Sequence, residues 1–396
     1  MKIYEIGTGY TPIPAQMGAA TEIVVEELTR SFIKNGVDAE IIDISTQKRA
    51  KTELPITEVN VPKVFKGTDV SLGIMHKLKR VAYSIALAGK LKKILKEATD
   101  KIVLHFHNQY NLYFVLKLVP KRLLKKATIA YTVHSYIWGT DWEQIESTVK
   151  KKYFQEIHCV KKADIVFVLN NITIDHFVNR LGVSKDKIHK IINGVNIERY
   201  SPLLSSDIAS LKSRNNLADK KVIFQVGSVC ERKNQFGSIR MLTEYLQKNR
   251  DVVYMYAGGI IDEEYQKAII DYAKNNSIAE QIRYIGEVAP GEVLNSYYNM
   301  ADCCVFTSTL ESFGLVIIEA ISSGTPVVLG SNLMFELNTG YYMYRTEEEF
   351  VSMVDEVLGS GKSPREKHLD VLEKYSWNTV AKNHDLLFTD SENRAV

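Results

Sequence analysis

The sequence predicts an α/β protein of two domains, each built on a parallel sheet. Three observations carry this prediction. Strand-like apolar runs alternate with amphipathic helical runs along almost the whole chain, the pattern of parallel α/β sheets. The 396 residues exceed one ordinary core, at roughly 150 residues per domain. A polar stretch after Ser201-Pro202, ending near Lys220, separates two such alternating series. The 45% apolar and 24% charged residues are those of a globular protein and exclude a disordered one.

In the first series, residues 2–6, 39–44, 102–106, 128–133 and 165–169 read as strands. Between the first two lies MGAATEIVVEELTRSFIKNG, where Ile23, Leu28, Phe32 and Ile33 fall near helical spacing. Gly36 suits the helix stop. Residues 46–68 carry few helical cues. In the second series, strands are expected at 222–226, 252–256, 282–284, 304–307 and 326–329. Two such sheets imply Rossmann-like domains facing across a cleft, with ligands outside the carboxyl ends of the strands. Expected boundaries are 1–200, 201–378 and a closing helix at 379–396.

Several chemistries are disfavoured. Gly7, Gly9 and Gly18 do not match G-x-G-x-x-G, so a nicotinamide cofactor is not expected. Cys159, Cys230, Cys303 and Cys304 show no C-x-x-C spacing, and the adjacent pair reads as buried small hydrophobes. No His or Cys cluster has zinc spacing. The start MKIYEIGTGY reads as a strand and lacks a signal-peptide pattern. No run approaches the roughly 20 apolar residues of a membrane span. A cytoplasmic location is expected.

The segment TSTLESFGLVIIEAISSGTPVV, residues 307–328, carries the most chemistry. A strand ends, a polar loop follows, and a helix opens near Phe313–Gly314. First-turn N–H groups lack helical partners and carry positive partial charge, which suits a diphosphate. Glu319 interrupts the apolar run LVIIEAI, and a buried carboxylate is costly unless hydrogen-bonded. A ribose diol would supply two donors; an arginine partner or a wet helix face is the plainer alternative.

Glu311 and Glu319, separated by seven residues in E-S-F-G-L-x-x-x-E-A-x-x-x-G-x-P-V-V, resemble the glutamate-pair motif of glycosyltransferase family 4. The resemblance implies the GT-B fold and transfer from a nucleotide diphosphate sugar with retained configuration. It places Glu311 by the donor sugar and Glu319 on the nucleotide ribose. The backbone of Ser312, Phe313, Gly314 and Leu315 would hold sugar and phosphate. IINGVNIERYSP, residues 191–202, resembles the family's turn into the interdomain linker. FQVGSVCERKNQ, residues 224–235, resembles the strand, glycine (Gly227) and lysine (Lys233) that open the second domain. A cation there neutralises charge building on the leaving diphosphate. The family arginine after that glycine is Ser228 here, with Arg232 as the candidate substitute.

In the first domain, Gly18 resembles the glycine beside the reacting sugar, against a plain helix-start glycine. His134, ending TIAYTVH, resembles a histidine contacting the donor sugar from across the cleft; His107 is read as packing or acceptor-side. YSWNTVAKNHDLLF resembles the closing helix that crosses back onto the first domain. The loop GSNLMFELNTGYYMY departs from the family pattern, with Glu336 the candidate for its acidic residue.

No cofactor is expected beyond the nucleotide-sugar co-substrate, and with no Asp-x-Asp motif no metal. A UDP-sugar and a glycan or lipid-linked acceptor are the favoured substrates. A nucleotide-sugar epimerase and a non-catalytic sugar-binding partner of another transferase are the alternatives.

The net charge of +3 hides an asymmetry. Residues 76–126 hold thirteen Lys or Arg against two acids, leaving 37 basic and 45 acidic residues elsewhere. HKLKRVAYSIALAGKLKKILKEATDK sets Leu78, Val81, Ile85, Leu91, Ile94 and Leu95 among lysines, as a membrane-surface helix does. A core-facing helix with a solvated basic face and a cleft for an anionic acceptor are the other readings. Contact with an anionic membrane surface through 76–126 is favoured; nucleic acid is not expected as a partner.

Overall fold

A computed structural model describes residues 1–15, 19–47, 49–65, 74–333, 337, 339–360 and 368–393. The chain divides into two units: Met1–Gly194 with Trp377–Val396, and Val195–Ser376. The first crossing falls six residues earlier than expected, and the return two earlier. The reason is local: Val195 and Ser376 form an isolated parallel bridge, and the Val195 N–H donates to Tyr375 O at 2.9 Å.

Unit 1 holds seven strands: β1 (Lys2–Ile6), β2 (Asp38–Ile44), β3 (Ile56–Val59), β4 (Ile102–Phe106), β5 (Ala127–Thr132), β6 (Ile165–Val168) and β7 (Ile188–Lys190). They pair in the order β3-β2-β1-β4-β5-β6-β7, all in parallel. The central strands are buried along their whole length, IVLHF in β4 and ATIAYT in β5, as expected of a sheet covered on both faces.

Side chains alternate between the faces. Leu104, Phe106, Ile129, Tyr131, Val166 and Val168 share a core with Tyr83, Leu87, Leu91 and Leu95 of the helix Ile74–Glu97. Glu5, His105, Thr132 and Phe167 alternate with them. His384 and Phe388 of the closing helix Trp377–Asn393 pack there, their ring centroids 4.3 and 5.8 Å from Phe167. That helix also meets the helix Ala20–Lys34, through Phe32 and Phe388 at 6.3 Å. In Ala20–Lys34 the buried stripe is Val24, Val25, Leu28 and Phe32, while Ile33 is exposed, one position off the expected face.

The helix Ile74–Glu97 corrects part of the amphipathic reading. Leu91 and Leu95 are fully buried and Ile94 packs against the core, so they are not a membrane face. Leu78, Val81 and Ile85 remain exposed, on the stripe that continues to the exposed Lys92 and Lys96. Lys79 is buried and donates to Tyr10 O at 2.9 Å, and Arg80 lies over the rings of Tyr10 and Tyr110.

Unit 2 holds β8 (Lys221–Val226), β9 (Val252–Ala257), β10 (Ile282–Tyr284), β11 (Cys303–Phe306), β12 (Val327–Gly330) and β13 (Tyr341–Tyr344). Their order is β10-β9-β8-β11-β12-β13, again parallel. Cys303 and Cys304 are buried free thiols in β11, as their apolar context implies. Three strands escaped the sequence reading, β3, β7 and β13. All lie at sheet edges, where a short, half-exposed strand needs no continuous apolar run.

Candidate active site

Each sheet has one point where the strand order reverses, and parallel α/β sheets bind ligands outside the carboxyl ends of the strands there. In unit 2 it lies between β8 and β11. β8 delivers Gly227 and the short 3-10 turn Glu231–Lys233; β11 runs into the loop bearing Glu311.

The two loops are fastened together by backbone and side-chain hydrogen bonds. The Thr309 N–H donates to Arg232 O at 2.9 Å, and Gln225 Nε2 donates to Lys233 O at 2.7 Å. Thr307 Oγ1 donates to Asn234 O at 3.0 Å, and Asn234 Nδ2 donates to Thr307 O at 3.2 Å. Gln225 is itself held, accepting from Ser238 Oγ and Tyr254 OH at 2.7 and 2.6 Å.

On this frame Lys233 Nζ lies 2.5 Å and Arg232 Nη1 3.2 Å from Glu311 Oε1. Arg232 Nη1 also donates to Leu310 O at 2.9 Å. Burial raises the Glu311 pKa, but Lys233 and then Arg232 outweigh it and hold the carboxyl below its ordinary value. Two cations on one carboxylate leave the cluster with a positive charge. The stem of Lys233 passes 3.1 Å from where a Cβ on Gly227 would stand, at φ 150°, so the lysine packs on bare backbone.

Gly314 caps the helix Leu315–Ser322 with φ 81°, a left-handed conformation that disfavours any side chain. A Cβ there would also stand 2.8 Å from Ile317 Cδ1. Phe313 is buried, while Ser312 and Leu315 are half-buried. The helix start thus lies on the same loop as Glu311, the kind of position at which anions are held, with the Ile317 N–H donating to Gly314 O at 3.0 Å.

Glu319 is 5% exposed inside that helix. Tyr298 OH donates to its Oε2 at 3.1 Å, and the Tyr200 hydroxyl is hydrogen-bonded to it as well. Tyr200 OH in turn accepts from the Gly291 N–H at 3.0 Å. Two phenols are thus among the partners of this carboxylate. Neither tyrosine was legible as part of the site; each comes from a distant segment.

In unit 1 the reversal lies between β1 and β4. Glu5 and His105 are cross-strand partners, and His107 follows two residues on. His134 follows β5 and is half-buried; its Nε2 lies 3.0 Å from His107 Nδ1. Glu5, His105 and His107 form a three-residue group with the donor atoms a metal ion would need. Those atoms contact one another: Glu5 Oε1 with His105 Nδ1 at 2.8 Å, and Glu5 Oε2 with His107 Nε2 at 2.6 Å. No sequence spacing exposed this group, because it is assembled across strands. The loop after His134 is pinned by the buried Glu156, which accepts from Tyr131 OH, Ser135 Oγ and Trp138 Nε1 at 2.7, 2.9 and 2.8 Å. Asn111 Nδ2 donates to Gly7 O and Thr8 O at 3.1 and 3.2 Å, holding the turn after β1. Gly18 and Glu336 lie outside the described residues.

Comparison with known proteins adds two family matches. Residues 21–199 match the model described as Glycosyltransferase Family 4, and residues 207–336 the model described as Glycosyl transferases group 1. An uncharacterized glycosyltransferase of Methanocaldococcus jannaschii is 30% identical over 213 residues, covering 50% of this chain and 53% of that protein. Across this and other curated relatives, the chain spans about half of their length. The alpha-galactosylglucosyldiacylglycerol synthase of Streptococcus pneumoniae is 24% identical over 342 residues, covering 82% of this chain and 87% of that one. An Anabaena protein crystallised with UDP and glucose superposes with a TM-score of 0.72 at 15% identity, covering 98% of this chain and 99% of that one. This last likeness is one of fold, two Rossmann-like parallel-sheet domains of the GT-B type.

Proposed function

We propose that this chain, which belongs to the group 1 glycosyltransferases of glycosyltransferase family 4, moves a hexose or N-acetylhexosamine from a nucleotide diphosphate sugar, with UDP favoured, to a glycan or lipid-linked acceptor. The observation that carries the reading is the pair Lys233 and Arg232 converging on Glu311 at the strand-order reversal of unit 2. Beside them opens a helix N-terminus capped by Gly314. Two cations and a helix start suit a diphosphate, and Glu319 suits the ribose diol. UDP is supported by the Anabaena structure's ligand, and a lipid-linked acceptor by the name of the pneumococcal relative.

In the proposed reaction the bond from the anomeric carbon to the diphosphate breaks, and a bond from the acceptor oxygen to that carbon forms on the same face. The hydroxyl proton passes to the departing phosphate oxygen. Lys233, Arg232 and the helix N–H groups stabilise the charge that develops there, without a metal. His134 is proposed to contact a sugar hydroxyl.

A panel of UDP-, GDP-, ADP- and dTDP-sugars, run with acceptor glycans or lipids in excess EDTA, tests this reading. Transfer that survives the chelator supports it. Change of the free nucleotide sugar without acceptor would make the protein an epimerase, and binding without turnover a non-catalytic partner.

Among the described residues no helix is long and apolar enough to cross a membrane. The exposed Leu78, Val81 and Ile85, in line with Lys92 and Lys96, support a reversible contact of unit 1 with an anionic cytoplasmic membrane face.

A further inference from the structure

The carboxylate and histidines enclosed in unit 1 have no part in the reaction so far. Glu5 and His105 are fully buried and His107 is 3% exposed. A carboxylate so enclosed persists only when hydrogen bonds satisfy it. Burial alone would raise the Glu5 pKa, but charge and hydrogen bonds from His105 and His107 outweigh it and hold the carboxyl at about 2. Glu5 is therefore ionised at neutral pH and can only accept. Burial, and next the neighbouring His105, lowers His107 to about 4. Burial, and next His107, pushes His134 well below its ordinary value. Both rings are neutral at pH 7, each with one N–H.

With those states the protons have one arrangement. His107 Nε2 faces the carboxylate at 2.6 Å and must donate, so His107 Nδ1 is bare. That bare nitrogen stands 3.0 Å from His134 Nε2, which must then be the donor. The neutral His134 is left with a bare Nδ1. Among the described residues no hydrogen bond reaches that Nδ1, and His134 is half-buried where the groups behind it are enclosed. The other branch ends inside: His105 Nδ1 meets Glu5 Oε1, and His105 Nε2 meets Thr132 Oγ1 at 2.7 Å.

We propose that Glu5 and His107 are positioning residues that fix His134 with its Nε2 protonated and its Nδ1 bare, so that His134 accepts a hydrogen bond from a sugar hydroxyl at the carboxyl end of β5. The identity of the ligand rests on the glycosyl-transfer reading; the tautomer does not. A second nitrogen held by a fixed partner sets which face a histidine presents, the logic by which buried carboxylates orient imidazoles elsewhere. A neutral acceptor also leaves the positive charge of an oxocarbenium-like transition state unopposed, where an imidazolium would repel it.

The first measurement needs no substrate. In the full chain with ¹⁵N-labelled histidine at neutral pH, the ring resonance that disappears in His134→Gln should show a protonated Nε2 and an unprotonated Nδ1. The opposite pattern, or a stoichiometric transition metal in the purified protein, overturns the proposal, because a metal on Glu5, His105 and His107 needs the nitrogen lone pairs that here carry protons. The second is a double-mutant cycle of Glu5→Gln and His134→Gln on kcat. Each single change should cost roughly tenfold or more, with KM for the nucleotide donor unchanged. The double variant should lose no more than the worse single one. Multiplying losses mean that Glu5 acts structurally and overturn the relay; where Glu5→Gln does not fold, His107→Gln takes its place in the cycle. Deoxyfluoro versions of the donor and of the acceptor locate the hydroxyl: the one whose fluorine removes the cost of His134→Gln carries it, and an unchanged cost with every analogue refutes the contact. If the tautomer is as stated and no donor supports turnover, glycosyl transfer fails while the relay stands.

Discussion

His384→Leu should flatten the acid limb of stability in unit 1. His384 is 3% exposed on the closing helix, its ring 4.3 Å from Phe167 and 6.1 Å from Phe388. Its Nδ1 donates to Val380 O at 2.8 Å. Burial, and next the nearby His105, lowers its pKa to about 3, against 6.5 in an exposed histidine. Between those values the unfolded chain binds the proton and the folded one does not. Stability from this residue is therefore complete above pH 6.5 and is lost as pH falls towards 3. At pH 4.5, about two units below the unfolded value, the loss is about 3 kcal/mol at 1.36 kcal/mol per unit. Leucine fills similar volume among the phenyl rings and cannot be protonated. Glu5 and His107 have their own acid dependence in both proteins, so the difference reports His384 together with its charge coupling to them. The chain's three tryptophans, Trp138, Trp142 and Trp377, all belong to unit 1. Urea unfolding followed by tryptophan fluorescence therefore reads that unit. Between pH 7.5 and 4.5 the wild-type midpoint should fall by roughly 1 M more than that of the variant, for an m-value of about 3 kcal/mol/M. Parallel shifts in the two proteins would refute a neutral, buried His384.

Three further outcomes are expected. Glu319→Gln should weaken free nucleoside diphosphate binding roughly tenfold or more in calorimetry, since hydrogen bonds to a charged acceptor contribute about 1.5–3 kcal/mol; unchanged affinity removes Glu319 from the ribose. Lys233→Met should lower kcat/KM by about 10²–10³ while the circular dichroism spectrum is kept, because Glu311 retains Arg232; near-normal turnover would mean that the lysine serves only the ion pair. Vesicles of anionic lipid should sediment the wild type at low salt and release it as salt rises, at about 1 kcal/mol per lysine. Lys92, Lys93 and Lys96 changed together to Glu should abolish that binding, and a wild type that ignores anionic vesicles leaves the basic charge to a soluble anionic acceptor.

Much of the architecture follows from local pattern. Fully buried strands must be apolar throughout and parallel strands need crossovers, so the central strands of both sheets and the helices between them are written in the order of residues. The Glu311–Glu319 segment is legible for the same reason: its loop, its helix start and both carboxylates lie within one short stretch of chain. Lys233 and Arg232 could be named from their own segment. That both close on Glu311 could not, because the contact depends on β8 and β11 being neighbours. Sheet edges, the faces of the Ile74–Glu97 helix and the partners of Glu319 were likewise settled only by packing. Leu91 and Leu95 look no different in sequence from Leu78, yet the first two meet the sheet and the third does not. Tyr200 and Tyr298 reach Glu319 from linker and helix. The Glu5, His105, His107 and His134 chain lies furthest from sequence reasoning. Its members are scattered over β1, β4 and the end of β5, and hydrogen bonds act over about 3 Å of space whatever the distance along the chain.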